Sequence, residues 1–153
     1  MTKVLVVDDE QGIVDLLVEN LSDNGFDVIS ATNGASALVL IYRERPDIVL
    51  LDLMIPVVNG YEVLRELRAN PTMKNLPVIL LTAVSPAEGK EAAIQLGANR
   101  FVNKPWKLDA ILQLINESLR EAVYSGWARP SIPRVQHSQQ YHLNEAPAAW
   151  LPT

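Results

Sequence analysis

Short apolar runs alternate along this chain with longer segments in which apolar residues recur every three or four positions. Strands are predicted at residues 3–7, 27–31, 48–51, 78–81 and 100–102. The first, third and fourth runs are almost purely apolar, which is typical of central strands in a parallel sheet. Alternating strands and helices indicate an α/β fold, with a five-stranded, parallel, doubly wound sheet and five helices on its two faces.

The periodic segments between the strands predict the helices. In the first and last helices the apolar residues fall on one face, so each helix is expected to cover one side of the sheet. These residues are Ile13, Leu16, Leu17 and Leu21 in the first helix, and Leu108, Ile111, Leu112, Ile115 and Leu119 in the last. The intervening helices are predicted at 35–42, 59–68 and 86–96.

Length and composition indicate one domain followed by a tail. The chain has 153 residues, of which 48% are hydrophobic and 20% charged, the balance of a chain that can bury a core. The helical period stops near residue 124, so we divide the chain into a domain at 1–124 and a tail or linker at 125–153, predicted to be partly disordered or docked. The tail tryptophans could dock on the domain or on a partner, and its histidines lack neighbours at metal-ligand spacing. These tail residues are Trp127, Trp150, His137 and His142.

Charge and cysteine content exclude several classes of function. The formal net charge of −5 predicts repulsion from nucleic-acid phosphates and anionic lipids, so neither direct nucleic-acid binding nor membrane binding is expected. Cysteine is absent, which excludes disulfides, thiolate catalysis and cysteine-bound metals. The first strand begins without a preceding secretory signal, and the longest apolar stretch is far shorter than the roughly 20 residues of a membrane span. A cytoplasmic protein is predicted.

Charged or hydroxyl-bearing residues come directly after four of the five predicted strands. Ligands of a doubly wound sheet bind at the carboxyl ends of its strands, so Asp8, Asp9, Asp52, Thr82 and Lys104 are expected to converge there. Converging carboxylates repel one another unless a cation lies among them, and oxygen ligands of this kind suit Mg²⁺ or, alternatively, Mn²⁺. Taken singly, each residue has an ordinary explanation, such as a helix cap or a surface lysine. Their joint occurrence favours a site that handles phosphoryl groups.

Four segments carry a resemblance to a known family: KVLVVDDE, IVLLDLMIP followed by NGYEVL, VILLTA, and FVNKP. In this order they resemble the successive signatures of receiver domains of bacterial two-component response regulators, particularly those like the chemotaxis regulator. The resemblance covers roughly residues 2–122 and implies the flavodoxin-like receiver fold. It implies a signalling switch rather than an enzyme, one that catalyses only the phosphorylation and dephosphorylation of its own aspartate.

The resemblance also assigns roles to the residues of the site. Asp52 would be the phosphoacceptor. Asp9 and Asp52 would coordinate Mg²⁺ together with the backbone carbonyl of Met54, and Asp8 would hold the site and its waters in place. Lys104 would contact a phosphate oxygen and, before phosphorylation, pair with Asp52.

A second set of residues would respond to the phosphoryl group. Thr82 would move toward it, and Phe101 occupies the family's aromatic switch position, where ring burial is coupled to the threonine movement. The Lys104–Pro105 peptide bond would be cis. A change at Thr82 and Phe101 would reshape the surface formed by the fourth helix, the fifth strand and the fifth helix.

The partners that the resemblance implies are proteins. A sensor histidine kinase or a phosphotransfer protein would donate the phosphoryl group, and a downstream protein would bind the reshaped surface. A homodimer through the same surface is compatible with the sequence.

Three other functions fit the residues less well. A magnesium-dependent phosphatase of the haloacid-dehalogenase type needs Asp-x-Asp after its first strand, whereas Asp8 and Asp9 are adjacent and Asp52 is followed by Leu53 and Met54. A nucleotide-binding protein needs a glycine-rich loop after the first strand, where this chain has Asp-Asp-Glu-Gln-Gly. The third alternative is a receiver that serves as a static docking module without phosphorylation.

Overall fold

The computed structural model of the protein describes residues 1–83 and 85–127. The elements are β1 (Lys3–Val7), α1 (Gln11–Asp23), β2 (Asp27–Ala31), α2 (Gly34–Glu44), β3 (Ile48–Asp52), α3 (Gly60–Ala69), β4 (Val78–Thr82), α4 (Pro86–Leu96), β5 (Arg100–Asn103) and α5 (Leu108–Ser125). The five predicted strands and five predicted helices therefore all form, and the ends that were predicted lie within two residues of those observed.

The strands form one parallel sheet in the order β2-β1-β3-β4-β5. Its register pairs Val7 with Leu51, Asp52 with Leu81, and Thr82 with Asn103. All strands run in the same direction, and the register brings their carboxyl ends to nearly the same level. The residues that follow the strands therefore meet at one edge of the sheet. The predicted doubly wound α/β fold is confirmed.

The core consists of two layers, one on each face of the sheet. Every residue of β3 and β4 is buried, and alternate strand residues point into opposite layers. Residues of α2, α3 and α4 fill one layer, and residues of α1 and α5 fill the other. Burial of each Val, Leu or Ile side chain stabilises the folded state by about 1.5–3 kcal/mol. The apolar strands therefore fix the position of the polar residues that follow them.

The buried face of α1 differs in part from the prediction. Val14, Leu17 and Leu21 are its buried residues, whereas Leu16, predicted on the covering face, is 51% exposed. The helix packs on β1 and β2, and the stripe that reaches them follows the spacing i, i+3, i+7. Leu16 lies beside this stripe because the apolar arc of α1 is wider than the arc that the sheet covers.

The chain crosses to the other layer immediately after α5. Ile111 and Ile115 of α5 pack in the layer with α1, but Trp127 packs in the layer with α2, α3 and α4. Between them, Gly126 ends α5 with a left-handed φ of 87° and redirects the chain. The division into residues 1–124 and 125–153 remains a proposal, and His137, His142 and Trp150 lie outside the described residues. Within the part of the chain described, no helix has the length and apolar character needed to cross a membrane.

Ser118 of α5 is a fully buried residue whose Oγ has no hydrogen-bond partner. An unpaired buried hydroxyl costs about 1–3 kcal/mol. We therefore expect Ser118→Ala to raise the free energy of unfolding by about 1 kcal/mol, measured by urea denaturation. Ser125→Ala is the matched control, because the Ser125 hydroxyl donates to the carbonyl of Ala122 and its removal should bring no gain. A loss of stability in Ser118→Ala would contradict the expectation.

Candidate functional site

Three aspartates lie together at the carboxyl edge of the sheet. Asp8 and Asp9 follow β1, and Asp52 is the last residue of β3. One carboxylate oxygen from each residue lies within 4.8 Å of those of the other two. Asp8 is fully buried and Asp52 is 4% exposed, whereas Asp9 is exposed. The cluster is therefore closed by the fold on the Asp8 side and open to solvent on the Asp9 side.

The backbone fixes the orientation of the two buried carboxylates. Oδ1 of Asp8 accepts a hydrogen bond from the backbone N–H of Glu10 at 2.9 Å. Oδ1 of Asp52 accepts one from the backbone N–H of Met54 at 3.0 Å. Each aspartate is thus held by the turn that follows it, an arrangement that Asp readily forms with the residue two positions on, and Oδ2 remains for interactions across the site.

Lys104 supplies positive charge to the cluster. Its Nζ donates to Oδ2 of Asp8 at 2.8 Å and to Oδ2 of Asp52 at 3.1 Å, and lies 3.8 Å from Oε1 of Glu10. Burial lowers the pKa of the ammonium, but the hydrogen bonds and charges of Asp8 and Asp52 outweigh this effect and raise the pKa above its ordinary value. Lys104 is therefore charged at neutral pH. The ammonium of Lys104 is one positive charge beside the three carboxylates of Asp8, Asp9 and Asp52, so the site retains an excess of negative charge.

The end of β4 places a buried hydroxyl side chain next to the cluster. Thr82 is 1% exposed and follows Leu81, the register partner of Asp52. The backbone N–H of Lys104 donates to the carbonyl of Thr82 at 2.7 Å, which joins the end of β4 to the segment that carries the ammonium. The Lys104–Pro105 peptide bond that follows is cis.

Phe101 lies in β5, three residues before Lys104, and is half-buried against the layer that contains α4. The preceding residue, Arg100, pairs with Glu117 and Glu121 of α5. The hydrogen bond to Glu121 outweighs partial burial and raises the pKa of Arg100. β5 therefore contacts α5 through Arg100 and α4 through Phe101.

The loop between β3 and α3 closes tightly over the end of β3. A Cβ at Gly60 would lie 2.4 Å from the backbone oxygen of Asp52, and one at Gly34 would lie 1.7 Å from the backbone oxygen of Val58. Only glycine fits either position. Neither close approach could be predicted, because nothing near these glycines in the sequence shows which backbone approaches them.

Two further residues of this loop are exposed. The side chain of Met54 is 68% exposed, and Val57 is 78% exposed with φ 72°. A β-branched residue with positive φ is an outlier that costs about 1–3 kcal/mol. Nothing in the sequence points to Val57, because valine gives no signal for a left-handed conformation.

The structure thus brings together the predicted Asp8, Asp9, Asp52, Thr82 and Lys104 at one edge of the sheet. Met54 follows Asp52 closely, with its N–H on that carboxylate, while Phe101 lies farther back along β5. Glu10 is an additional acidic neighbour that was not assigned a role.

The comparisons with known proteins agree with this geometry. Residues 4–116 match the sequence model of the family described as the response regulator receiver domain. The receiver domain of Francisella response regulator 1452 is similar in structure, with a TM-score of 0.73, 30% identity, and coverage of 79% of this chain and 98% of that chain. A putative response regulator from Chloroflexus aurantiacus has a TM-score of 0.74, 30% identity and coverage of 77% and 97%. The Vibrio cholerae chemotaxis protein CheY4 has a TM-score of 0.72, 30% identity and coverage of 77% and 98%.

The chain belongs to the response regulator receiver domain family. It is a phosphorylation-activated receiver of a two-component signalling system, and membership of this family implies interaction with a histidine kinase or a phosphotransfer protein. The family resemblance stated from the four sequence segments is confirmed.

Proposed function

We propose that Asp52 is the residue that accepts the phosphoryl group. The observation that carries this proposal is the position of its carboxylate, which is 4% exposed, is hydrogen-bonded to Lys104, and shares the cluster with Asp8 and Asp9. Phosphoryl transfer needs positive charge and hydrogen-bond donors around oxygens that become more negative. Among the three clustered aspartates, only Asp52 stands at the end of a central strand beside both Lys104 and the β4 end that carries Thr82.

The donor set of the site fits Mg²⁺. This ion prefers oxygen ligands and is usually held by one or two carboxylates together with phosphate oxygens and waters. Asp9 and Asp52, with the backbone carbonyl of Met54, would hold it, and Asp8 would keep the site in place from its buried position. Bound there, Mg²⁺ would neutralise negative charge on the carboxylates and the transferred group. Mn²⁺, another hard divalent ion, would suit the same ligands.

The residues of the chain have separate tasks in the transfer. An oxygen of Asp52 attacks the phosphorus of the donor's phosphohistidine, so that an O–P bond forms as the N–P bond breaks and its electron pair returns to the imidazole. Lys104 exchanges its contact with Asp52 for one with a phosphoryl oxygen and keeps its bond to Asp8. Thr82 donates to another phosphoryl oxygen, and its movement is followed by Phe101.

The output of this switch is a change of protein contacts on the surface of α4, β5 and α5. The protein turns over only its own aspartyl phosphate and otherwise acts as a switch. A downstream protein binds the altered surface, and a second copy of the chain is an alternative occupant. The net charge of −5 favours a protein partner over nucleic acid or membrane. A cytoplasmic location remains part of this proposal.

The test is to incubate the full chain with acetyl phosphate and Mg²⁺ and to locate the added mass by peptide mapping. We expect one phosphoryl group on the peptide that contains Asp52, and none after chelation of the divalent ion, because the carboxylates then remain without their cation. An unmodified Asp52, combined with unchanged partner binding, would instead support a static docking module. Turnover of generic phosphate esters would support a phosphatase.

A further inference from the structure

A glycine occupies a buried position inside α4. Gly89 lies in the second turn of this 11-residue helix and is buried. Glycine inside a helix is destabilising relative to alanine. The φ angle of Gly89 is not positive, so left-handed backbone geometry does not account for the glycine at this position.

Close packing does account for it. A Cβ on Gly89 would lie 2.9 Å from Cδ2 and 3.2 Å from Cε2 of Phe101, and 3.3 Å from Cγ2 of Thr82. The backbone of α4 therefore rests directly on the ring of one residue and the methyl group of the other. By contrast, a Cβ on Gly12 in α1 would meet no atom within 4 Å.

We propose that Gly89 is the positioning residue through which Thr82 and Phe101 act on α4. This inference rests on the proposed phosphorylation of Asp52 and names the contact that transmits it. When Thr82 moves toward the phosphoryl group, its methyl group leaves the backbone of Gly89, and the Phe101 ring enters the space released. A side chain at position 89 occupies that space and holds the ring outward.

Addition of a single methyl group should therefore uncouple the ring from the site. In phosphorylated Gly89→Ala, the added methyl group keeps the Phe101 ring from its inward position. The substitution does not change the carboxylates of the site or Lys104. A ligand that favours one arrangement binds more weakly when that arrangement is made less accessible. We expect the affinity for beryllofluoride with Mg²⁺, a stable mimic of the phosphoryl group, to fall by about 5-fold or more, the size of a typical coupling between sites.

The ring can be observed directly because the chain contains two phenylalanines, Phe26 and Phe101. Protein labelled with 4-fluorophenylalanine gives two ¹⁹F NMR signals, and Phe26, which packs in the other core layer, is the internal reference. In the wild-type protein, beryllofluoride and Mg²⁺ should shift the Phe101 signal. In Gly89→Ala the same additions should leave that signal nearly unshifted, a result that a merely stabilising or destabilising substitution would not give.

Two further variants complete the test. Gly12→Ala makes the same change on a helix where space is free, and should retain the wild-type affinity and the shift of Phe101. Phe101→Ala removes the ring, so Gly89→Ala in that background should change the affinity little. Urea denaturation would show that each variant is folded.

The inference is overturned if Gly89→Ala binds beryllofluoride as tightly as wild type and its Phe101 signal still shifts. It is also overturned if Gly89→Ala weakens binding equally with and without Phe101. Failure of the proposed function has a different signature, because the wild-type protein itself would then bind no beryllofluoride and accept no phosphoryl group from acetyl phosphate.

Discussion

Replacement of Asp52 by Asn is expected to abolish phosphoryl uptake from acetyl phosphate and to leave the fold intact. An amide oxygen is a poor nucleophile, and the mixed anhydride that a carboxylate forms with phosphate has no counterpart at an amide. Asp8 follows β1, which does not pair with β4, so unlike Asp52 it does not stand beside the strand end that carries Thr82. We therefore expect modification of the variant to fall below detection in intact-mass measurements.

The fold should tolerate the change because an asparagine side chain can reproduce one of the two observed contacts of Asp52. Its amide oxygen can accept the hydrogen bond that the N–H of Met54 now donates. The contact of Lys104 with Asp52 is lost, but its bond to Asp8 remains. One fewer carboxylate then faces a single ammonium, so the repulsion within the cluster decreases. Mg²⁺ should consequently stabilise the variant less than it stabilises the wild-type protein.

Asp47→Asn is the matched control for this substitution. Asp47 is also a buried aspartate, 3% exposed, but it lies at the opposite end of β3, where Oδ2 accepts the N–H of Lys3. This variant should be phosphorylated on Asp52 to the wild-type extent. Phosphoryl uptake on Asp8 or Asp9 in the Asp52→Asn protein would show that the cluster, rather than Asp52 itself, accepts the group.

The sequence predicted the sheet and the membership of the site for a common physical reason. Central parallel strands are buried on both faces and therefore appear as continuous apolar runs. Polar residues directly after such runs must lie at the carboxyl edge, whatever the details of packing. For this reason the sequence alone predicts that Asp8, Asp52 and Thr82 lie close together, although they are separated by 44 and 30 positions.

Contacts made by irregular segments could not be predicted in this way. Arg68 at the end of α3 donates to the carbonyls of Gly97 and Leu76 and to Oδ1 of Asn99, residues 29, 8 and 31 positions away. Burial lowers the pKa of Arg68 to about 10, and these neutral acceptors partly replace the lost hydration. No period or motif marks Arg68 as a half-buried residue. The contact between Gly89 and Phe101 could not be predicted from the sequence either, because it depends on the angle at which α4 crosses the sheet.

Lys104→Met is expected to lower the free energy of unfolding by several kcal/mol in the absence of divalent ions. The side chains of Asp8 and Asp52 are 0% and 6% exposed, and Lys104 is their shared positive partner. Removal of one partner of a buried ion pair leaves an uncompensated charge and typically costs about 3–5 kcal/mol. Methionine keeps much of the length and apolar surface of the lysine stem, so the loss reports mainly the charge.

Lys3→Met provides the comparison at the surface. Lys3 pairs with Glu44 at 3.1 Å, with side chains 26% and 33% exposed. Pairs in contact with solvent contribute about 0–1 kcal/mol, so urea denaturation should show a clearly smaller loss than for Lys104→Met. Equal losses in the two variants would mean that Asp8 and Asp52 are hydrated more effectively than their burial indicates.

Mg²⁺ should partly restore Lys104→Met, because the ion and the ammonium neutralise the same carboxylates. A ligand that binds only the folded state stabilises it according to its concentration relative to Kd. Since Lys104 no longer competes for Asp52, we expect Mg²⁺ to bind the variant more tightly and to stabilise it more than the wild-type protein. In the double variant Asp52→Asn/Lys104→Met, removal of the lysine should cost less than it does in the wild-type background, because one buried carboxylate is already neutral. Additive losses would show that Lys104 stabilises the fold through contacts other than its pair with Asp52.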